Sequence, residues 1–202
     1  MVLVNEDTGD RTVLWERDDR LSLHADEVPR GVIESARLLH VDDVDVDAAL
    51  AAVDVARKAG IPVTSDIDDV NDRTRTLITA VTVPILAEHV PHKLTGESDP
   101  ERALRRMRNR HSGMLCVTLG ARGSMLLDGN QLYRVPAPSV HAVDATGAGD
   151  VFRGAFIYAL LRGDRPLDIL RFANAAAALS CTREGALDSV PSTHEVEEFL
   201  HK

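Results

Sequence analysis

A chain of 202 residues, 44% hydrophobic and 27% charged, has the makeup of an ordinary globular protein with one sizeable core. Its net charge of -9 argues against nucleic acid or an anionic membrane as partner, since both demand a basic face that releases counterions. The N-terminus has no basic stretch leading into a long apolar run, and Cys116 and Cys181 lack disulfide or zinc spacing, so the expectation is a cytoplasmic protein with two buried thiols, neither exported nor membrane-spanning.

Residues 2–4 and 11–15 are β-prone runs around a glycine-containing loop at 5–10, a predicted hairpin. Residues 21–35 read as loop and a short helix, and 36–41 as a strand whose apolar run suits a sheet covered on both faces. From 45 to 59 alanines and valines recur at helical spacing, with Gly60 as the stop signal, and 61–66 is the next strand, with Pro62 at its entry. A polar helix over 71–80, a strand over 83–87 and a basic helix running from a capping box at Ser98-Asp-Pro-Glu101 to about residue 110 continue the alternation. Residues 114–119 form a strong strand, followed by 124–127, a turn at Asp128-Gly-Asn130 and 131–135, a pair of hairpins. Helices are predicted at 149–162 and 166–182, and Ser192-Thr-His-Glu195 caps the last one. This order predicts an α/β fold with a mainly parallel sheet flanked by helices and antiparallel hairpins at one end.

The stretch that carries chemistry is DATGAGD, 144–150, ahead of an apolar helical run. Gly147 and Gly149 let the backbone turn its N–H groups toward one centre, and a glycine loop feeding a helix N-terminus is an anion cradle. Asp150, in the first helical turn, would repel a bound phosphate, so its role points to proton removal. A cradle for a transferring phosphoryl group beside a carboxylate that deprotonates an alcohol is the minimal apparatus of phosphoryl transfer to a hydroxyl. The spacing fits neither the P-loop nor the dinucleotide fingerprint. The other reading is a glycine-rich helix cap with an N-terminal aspartate.

DATGAGDVFRGAF resembles the C-terminal signature of the ribokinase-like (PfkB) carbohydrate kinases. The resemblance implies that Asp150 is the catalytic base and that Gly147, Ala148 and Gly149 form the anion hole. Further segments are similar to that family: VTLGARGSMLLDG, 117–129, to its nucleotide-loop hairpin, and 171–191 to the segment closing over the adenine. The implied nucleotide residues are Thr118, Gly120, Gly123 and Asn174, and Asp144 and Ser189 fall where the family groups ligands around a monovalent cation such as K+. ATP, Mg2+ and a small-molecule sugar substrate follow from the resemblance alone. Only the C-terminal two-thirds of the family pattern is matched, which implies residues 1–22 as the remnant of a β lid and 23–202 as the α/β nucleotide-binding and catalytic domain. A sheet lacking its N-terminal strands would leave an unpaired edge and an uncovered apolar face, so a homo-oligomer is expected. The alternative function is a truncated, inactive nucleotide-binding remnant.

Several features depart from the pattern or stand outside it. The family's N-x-x-E, which helps to organise magnesium, falls on Ala87 and Val90, and Glu88 is the nearest carboxylate; the metal is then expected to be held through phosphates and water. Arg153 stands where the family has a small polar residue, either binding a phosphate or lying at the surface one turn into the helix. The acidic runs at 42–47 and 66–69 lack the glycine and glutamate of a calcium loop and read as helix caps and solvated edge. Asp66 is kept apart because it ends a parallel strand, the edge at which α/β sheets place ligands. His89 and His92 lie either side of Pro91 with no third metal ligand in sight.

Overall fold

The computed structural model describes residues 2–4, 11–14 and 16–201. The apolar runs pair in strict chain order: β3 (Leu39–Val41), β4 (Val63–Ile67), β5 (Val83–Leu86), β6 (Leu115–Thr118), β7 (Ser124–Asp128) and β8 (Gln131–Val135) make one six-stranded sheet. The first four are mutually parallel, with Asp66 opposite Ile85 and Ile85 opposite Cys116, while β6–β7 and β7–β8 are antiparallel hairpins. Short strands β1 (Val2–Val4) and β2 (Arg11–Val13) pair antiparallel in a sheet of their own; the predicted turn at 5–10 and the end of the second strand at Trp15 lie outside the described residues.

Pleating sends successive side chains to opposite faces, and here both faces are covered. Val63, Ile67, Leu86, Leu115, Val117 and Leu127 pack against α2 (Val46–Lys58), α3 (Thr74–Ala80), α4 (His89–Thr95) and α5 (Pro100–Arg108). Val83, Ile85, Cys116, Leu126 and Val135 pack against α6 (Ala148–Arg162), α7 (Pro166–Ser180) and α8 (Thr193–Leu200). Crossover helices thus take one face, and the three helices after the last strand take the other. No helix among the described residues is long and apolar enough to cross a membrane.

Helix ends follow local chemistry, with corrections. Gly60 (φ 72°) and Gly96 (φ 78°) occupy left-handed positions that end α2 and α4. The polar helix starts at Thr74 instead of 71 because Asn71 Oδ1 accepts the N–H groups of Arg73 and Thr74, a local turn that competes with helix. The N-cap of α5 is Asp99, which accepts from Glu101 N at 3.2 Å with Pro100 at the first position, and not Ser98. The sequence reading overlooked α4, where Pro91 sits in the first turn and needs no donor. Residues 21–35 hold one 3-10 turn (Ala25–Glu27) and the five-residue α1 (Arg30–Glu34), and another 3-10 turn (Asp19–Leu21) leads into them. Cys116 is buried, which pushes its thiol well above the usual range, but Cys181 is only half-buried.

The sheet ends at β3, and its face on the α6 side carries polar groups there: His40 Nδ1 and Thr64 Oγ1 are 2.8 Å apart, and Asp66 follows. The uncovered apolar face predicted at this edge is therefore replaced by a polar one.

The box that opens α8 is complete: Glu195 N donates to Ser192 Oγ, and Glu195 Oε2 accepts from Ser192 N at 2.7 Å. Those bonds, Ser192 N–H foremost, with Arg183 alongside, pull the Glu195 carboxyl down to about 2. A depressed carboxylate stabilises the fold above its unfolded value and loses that contribution as pH falls through the folded one. Ser192→Ala should cost about 1 kcal/mol at neutral pH. The deficit should shrink only slightly between about pH 4.5 and 2, because the Ser192 N–H, the main cause of the low carboxyl, survives the substitution; urea unfolding of both proteins measures it.

Candidate active site

The carboxyl ends of β4, β5 and β6 meet the N-terminus of α6, the place where open α/β sheets hold ligands. Thr118 ends β6 and donates through Oγ1 to Leu86 O at 3.4 Å. The chain then makes a 3-10 turn at Gly120–Arg122 and passes Gly123, whose φ of 91° and ψ of -134° suit glycine alone. A Cβ at Gly123 would lie 2.0 Å from Val135 O, so the turn is pressed against the end of β8. Asn174 of α7, 4% exposed, donates from Nδ2 to the same Val135 O at 3.0 Å. Its amide is therefore a brace between α7 and β8 as well as part of the wall.

The glycine loop is held from behind. Asp144 Oδ1 accepts from Thr146 N at 2.8 Å and Oδ2 from Gly185 N at 3.0 Å, while the N–H groups of Val143 and Asp144 both reach Cys181 O. Gly147, at φ 77°, is the N-cap of α6 and lies against Ala186, and Ser189 Oγ donates to Ala186 O at 3.4 Å. Asp144, Gly147 and Ser189 thus dock the loop onto the 185–189 segment. Ala148 N donates back to Ala145 O at 3.2 Å, so the first-turn amides without an intrahelical acceptor are those of Gly149 and Asp150.

A cavity of about 490 Å³ joins these parts. Thr118, Gly120, Gly123, Ala148, Gly149 and Asn174 line it, alongside the apolar Phe152, Pro138, Val140 and Ala177. Six of the ten predicted site residues therefore share one cavity, whereas Asp144, Gly147, Asp150 and Ser189 flank it. Asp150, directly after the lining Gly149, has its side chain 81% exposed. A larger hollow of about 680 Å³ between α3, α4 and α5 contains none of the ten.

Arg153 is the departure from the sequence reading, which offered phosphate contact or the surface. Its side chain is 8% exposed and ion-paired with Asp66, with Asp68 at 3.0 Å and with Asp150 at 3.8 Å. Asp68 was read with the solvated acidic run and has no local signal of this role; only the fold brings it 85 positions along the chain to Arg153. The helix caps expected of the two acidic runs do not form: Asp43 Oδ2, in the first run, accepts from Asp68 N and Asp69 N in the second and so joins two turns. Asp45 makes no cap bond to α2 and pairs with Arg17 at 2.6 Å. Glu88 is ion-paired with Arg122, and His92 Nδ1 contacts Glu97 O at 3.1 Å. No group of three metal-ligating side chains occurs among the described residues.

Burial pushes the Asp66 carboxyl up to about 7; Arg153 opposes the rise, and Asp68, Asp150 and Asp43 add to it. A carboxylate whose folded pKa is raised binds more protons folded than unfolded, so it lowers stability as pH climbs from about 3.9 to 7. Asp66→Asn should flatten that part of the stability–pH curve, read by urea unfolding at pH 4.5 and 7.5. An unchanged slope would show that Arg153 keeps Asp66 ionised throughout.

The chain is similar in sequence and in fold to known proteins. Residues 1–193 match the model of the pfkB family carbohydrate kinases. Ribokinase of Lactococcus lactis subsp. lactis (strain IL1403) is 39% identical over 101 residues, 50% of this chain and 34% of that protein. Probable fructokinase-4 of Arabidopsis thaliana is 29% identical across 95% of this chain and 67% of its own length. Among solved structures, ribokinase from Thermotoga maritima superposes with a TM-score of 0.83 at 26% identity, covering 100% of this chain and 68% of that one. A candidate ribokinase II from E. coli, in complex with ATP and Mg2+, gives 0.85 at 25% identity, covering 96% and 68%. The matches to the bacterial ribokinases extend over about a third of those proteins' length.

Proposed function

Since the chain belongs to the pfkB family of carbohydrate kinases, we propose that it transfers a phosphoryl group from ATP to a hydroxyl of a sugar or sugar-like acceptor. The observation that carries this reading is the convergence of Thr118, Gly120, Gly123, Ala148, Gly149 and Asn174 on one cavity that opens at the α6 N-terminus. Its apolar wall suits a purine ring, and the close approach of Gly123 to the β8 backbone gives that wall a flat floor. The helix dipole and the first-turn amides of Gly149 and Asp150 suit phosphate oxygens and the charge that grows on them during transfer, whereas the Ala148 amide of the expected 147–149 anion hole is turned back to Ala145 O. Bound ATP would supply the phosphoryl group.

Asp150 stands beside this cradle, exposed to an acceptor, and takes the hydroxyl proton as the new oxygen–phosphorus bond forms and the bond to the ADP oxygen breaks. Mg2+ would ride on the nucleotide's phosphates, because Glu88 is engaged by Arg122 and Asp66 by Arg153. A K+ ion suits the Asp144 carboxylate and the Ser189 hydroxyl, both oxygen acceptors that flank the glycine loop. Residues 1–22 belong on this reading to a lid and 23–202 to the catalytic domain. Among the described residues no strand pairs the outer edge of β3, which favours a homo-oligomer, and a kinase that uses ATP suits the cytoplasm.

The acceptor side is acidic. Asp66, Asp68 and Asp150 surround one arginine that is buried and already paired, so among the described residues this cluster offers carboxylates and not a spare cation to a second phosphate. An uncharged polyol is the acceptor this field favours. A coupled ADP assay on the full protein, run over neutral pentoses, hexoses and nucleosides and over their phosphates, tests the reading. ADP release should depend on a neutral acceptor. ATP binding without acceptor-dependent release would overturn the kinase assignment, and release with phosphosugars alone would overturn the acceptor class.

A further inference from the structure

Arg153 ties two elements that the chain keeps far apart. Its Nη2 serves Asp66 and Asp68, at the carboxyl end of β4, while Nη1 lies 3.8 Å from Asp150 Oδ1 in the first turn of α6. A Cβ on Gly149 would come within 2.6 Å of the same Nη1, so the guanidinium packs directly against the anion cradle. Burying an arginine is costly unless fixed carboxylates meet it, and removing it would leave three carboxylates facing one another without a cation. The planar fork of arginine spans both sides at once, which a lysine ammonium, a single point of charge, does not.

We propose that Arg153 is a positioning residue for phosphoryl transfer: by bridging Asp66 and Asp68 to Gly149 and Asp150, it sets the aperture of the cradle and the aim of the base. The role rests on the kinase reading, and it differs from direct contact with substrate, which the burial and the ion pairs of the guanidinium oppose. On this reading a cradle of fixed aperture favours the terminal phosphate of ATP, whereas adenine and the inner phosphates fall to the part of the cavity lined by Thr118, Gly120, Gly123 and Asn174. Loss of Arg153 should therefore weaken binding of a triphosphate more than that of ADP. A merely structural residue would weaken both alike.

The test compares Arg153→Met and Arg153→Lys with Asp150→Asn in the full protein, measuring calorimetric binding of ADP and of a non-hydrolysable ATP analogue, then kcat and KM. For Arg153→Met, ADP affinity should hold within about twofold, the analogue should bind about tenfold more weakly, and kcat should fall about 30-fold. Arg153→Lys should restore thermal stability but less than half of the lost discrimination between analogue and ADP. Equal weakening of both ligands, or unchanged binding and kcat, overturns the proposal. Should Arg153→Met fail to fold, Asp68→Asn, at an exposed partner, replaces it, with a drop of about threefold in the same binding ratio expected and an unchanged ratio counting against the bridge. Absence of acceptor-dependent ADP release from the native protein would instead sink the kinase reading, and full activity of Asp150→Asn would sink only its role as base, while the ratio of the two affinities would still judge Arg153.

Discussion

Asp150→Asn should lower acceptor-dependent turnover by about 10²–10⁴-fold while leaving ATP affinity close to that of the native protein. The side chain is 81% exposed in the first turn of α6, outside both apolar clusters, and asparagine keeps its shape. Its pairing with Arg153, at 3.8 Å, is the weakest of that residue's three, so the substitution should leave the cluster standing. On the proposed reading what is lost is the basic carboxylate oxygen that would take the hydroxyl proton, a loss felt only as the new bond forms. The check is kcat together with calorimetric ATP binding. Loss of binding in step with rate would make Asp150 a helix cap, and unchanged kcat would remove it from the chemistry.

Gly123→Ala should destabilise the protein by about 3 kcal/mol or more and weaken nucleotide binding in whatever fraction still folds. At φ 91° and ψ -134° a side chain is strained whatever the space, and here there is none: the Cβ would meet Val135 O at 2.0 Å and Ala137 N at 2.6 Å. Both are backbone atoms, so relief requires moving β8 away from the turn. That shift would also pull on the Asn174 bond to Val135 O and open the cavity wall. Gly120→Ala is the control. Its φ of 56° disfavours alanine, but nothing lies within 4 Å of the added atom, and about 1 kcal/mol is expected. Thermal and urea unfolding of the two variants decide the matter; equal losses would show that the Gly123 turn relaxes freely.

Much of this molecule is written locally. The alternation of apolar runs and amphipathic stretches specified the parallel strands and their crossover helices, because periodicity and capping act over a few residues. Gly60 and the Ser192–Glu195 box ended and opened helices where the sequence put them. The glycine loop at 144–150 was legible for the same reason, since Gly147 in the left-handed region, Asp144 against Thr146 N and the start of α6 are contacts among near neighbours. Errors fell where two local signals competed. Ser98 and Asp99 are both good caps, and the side chain that met the Glu101 amide won. Pro91 concealed α4 because proline stops a helix everywhere except in its first turn.

The sequence by itself determined the strand–helix order, the capped ends and the cradle, all of which rest on hydrogen bonds and spacings between close neighbours. Only the tertiary structure decided which charges meet. Arg153 one turn into a helix looks like a solvated cation until β4, in its register beside β5, brings Asp66 and Asp68 beneath it. Asn174, a nucleotide residue by the family resemblance, gains its brace to β8 only when α7 lies over that strand, which offers it Val135 O. In both cases the partner is decided by sheet order and by which helix covers which face, and those are fixed by burial summed over the whole core, which no short window of sequence contains.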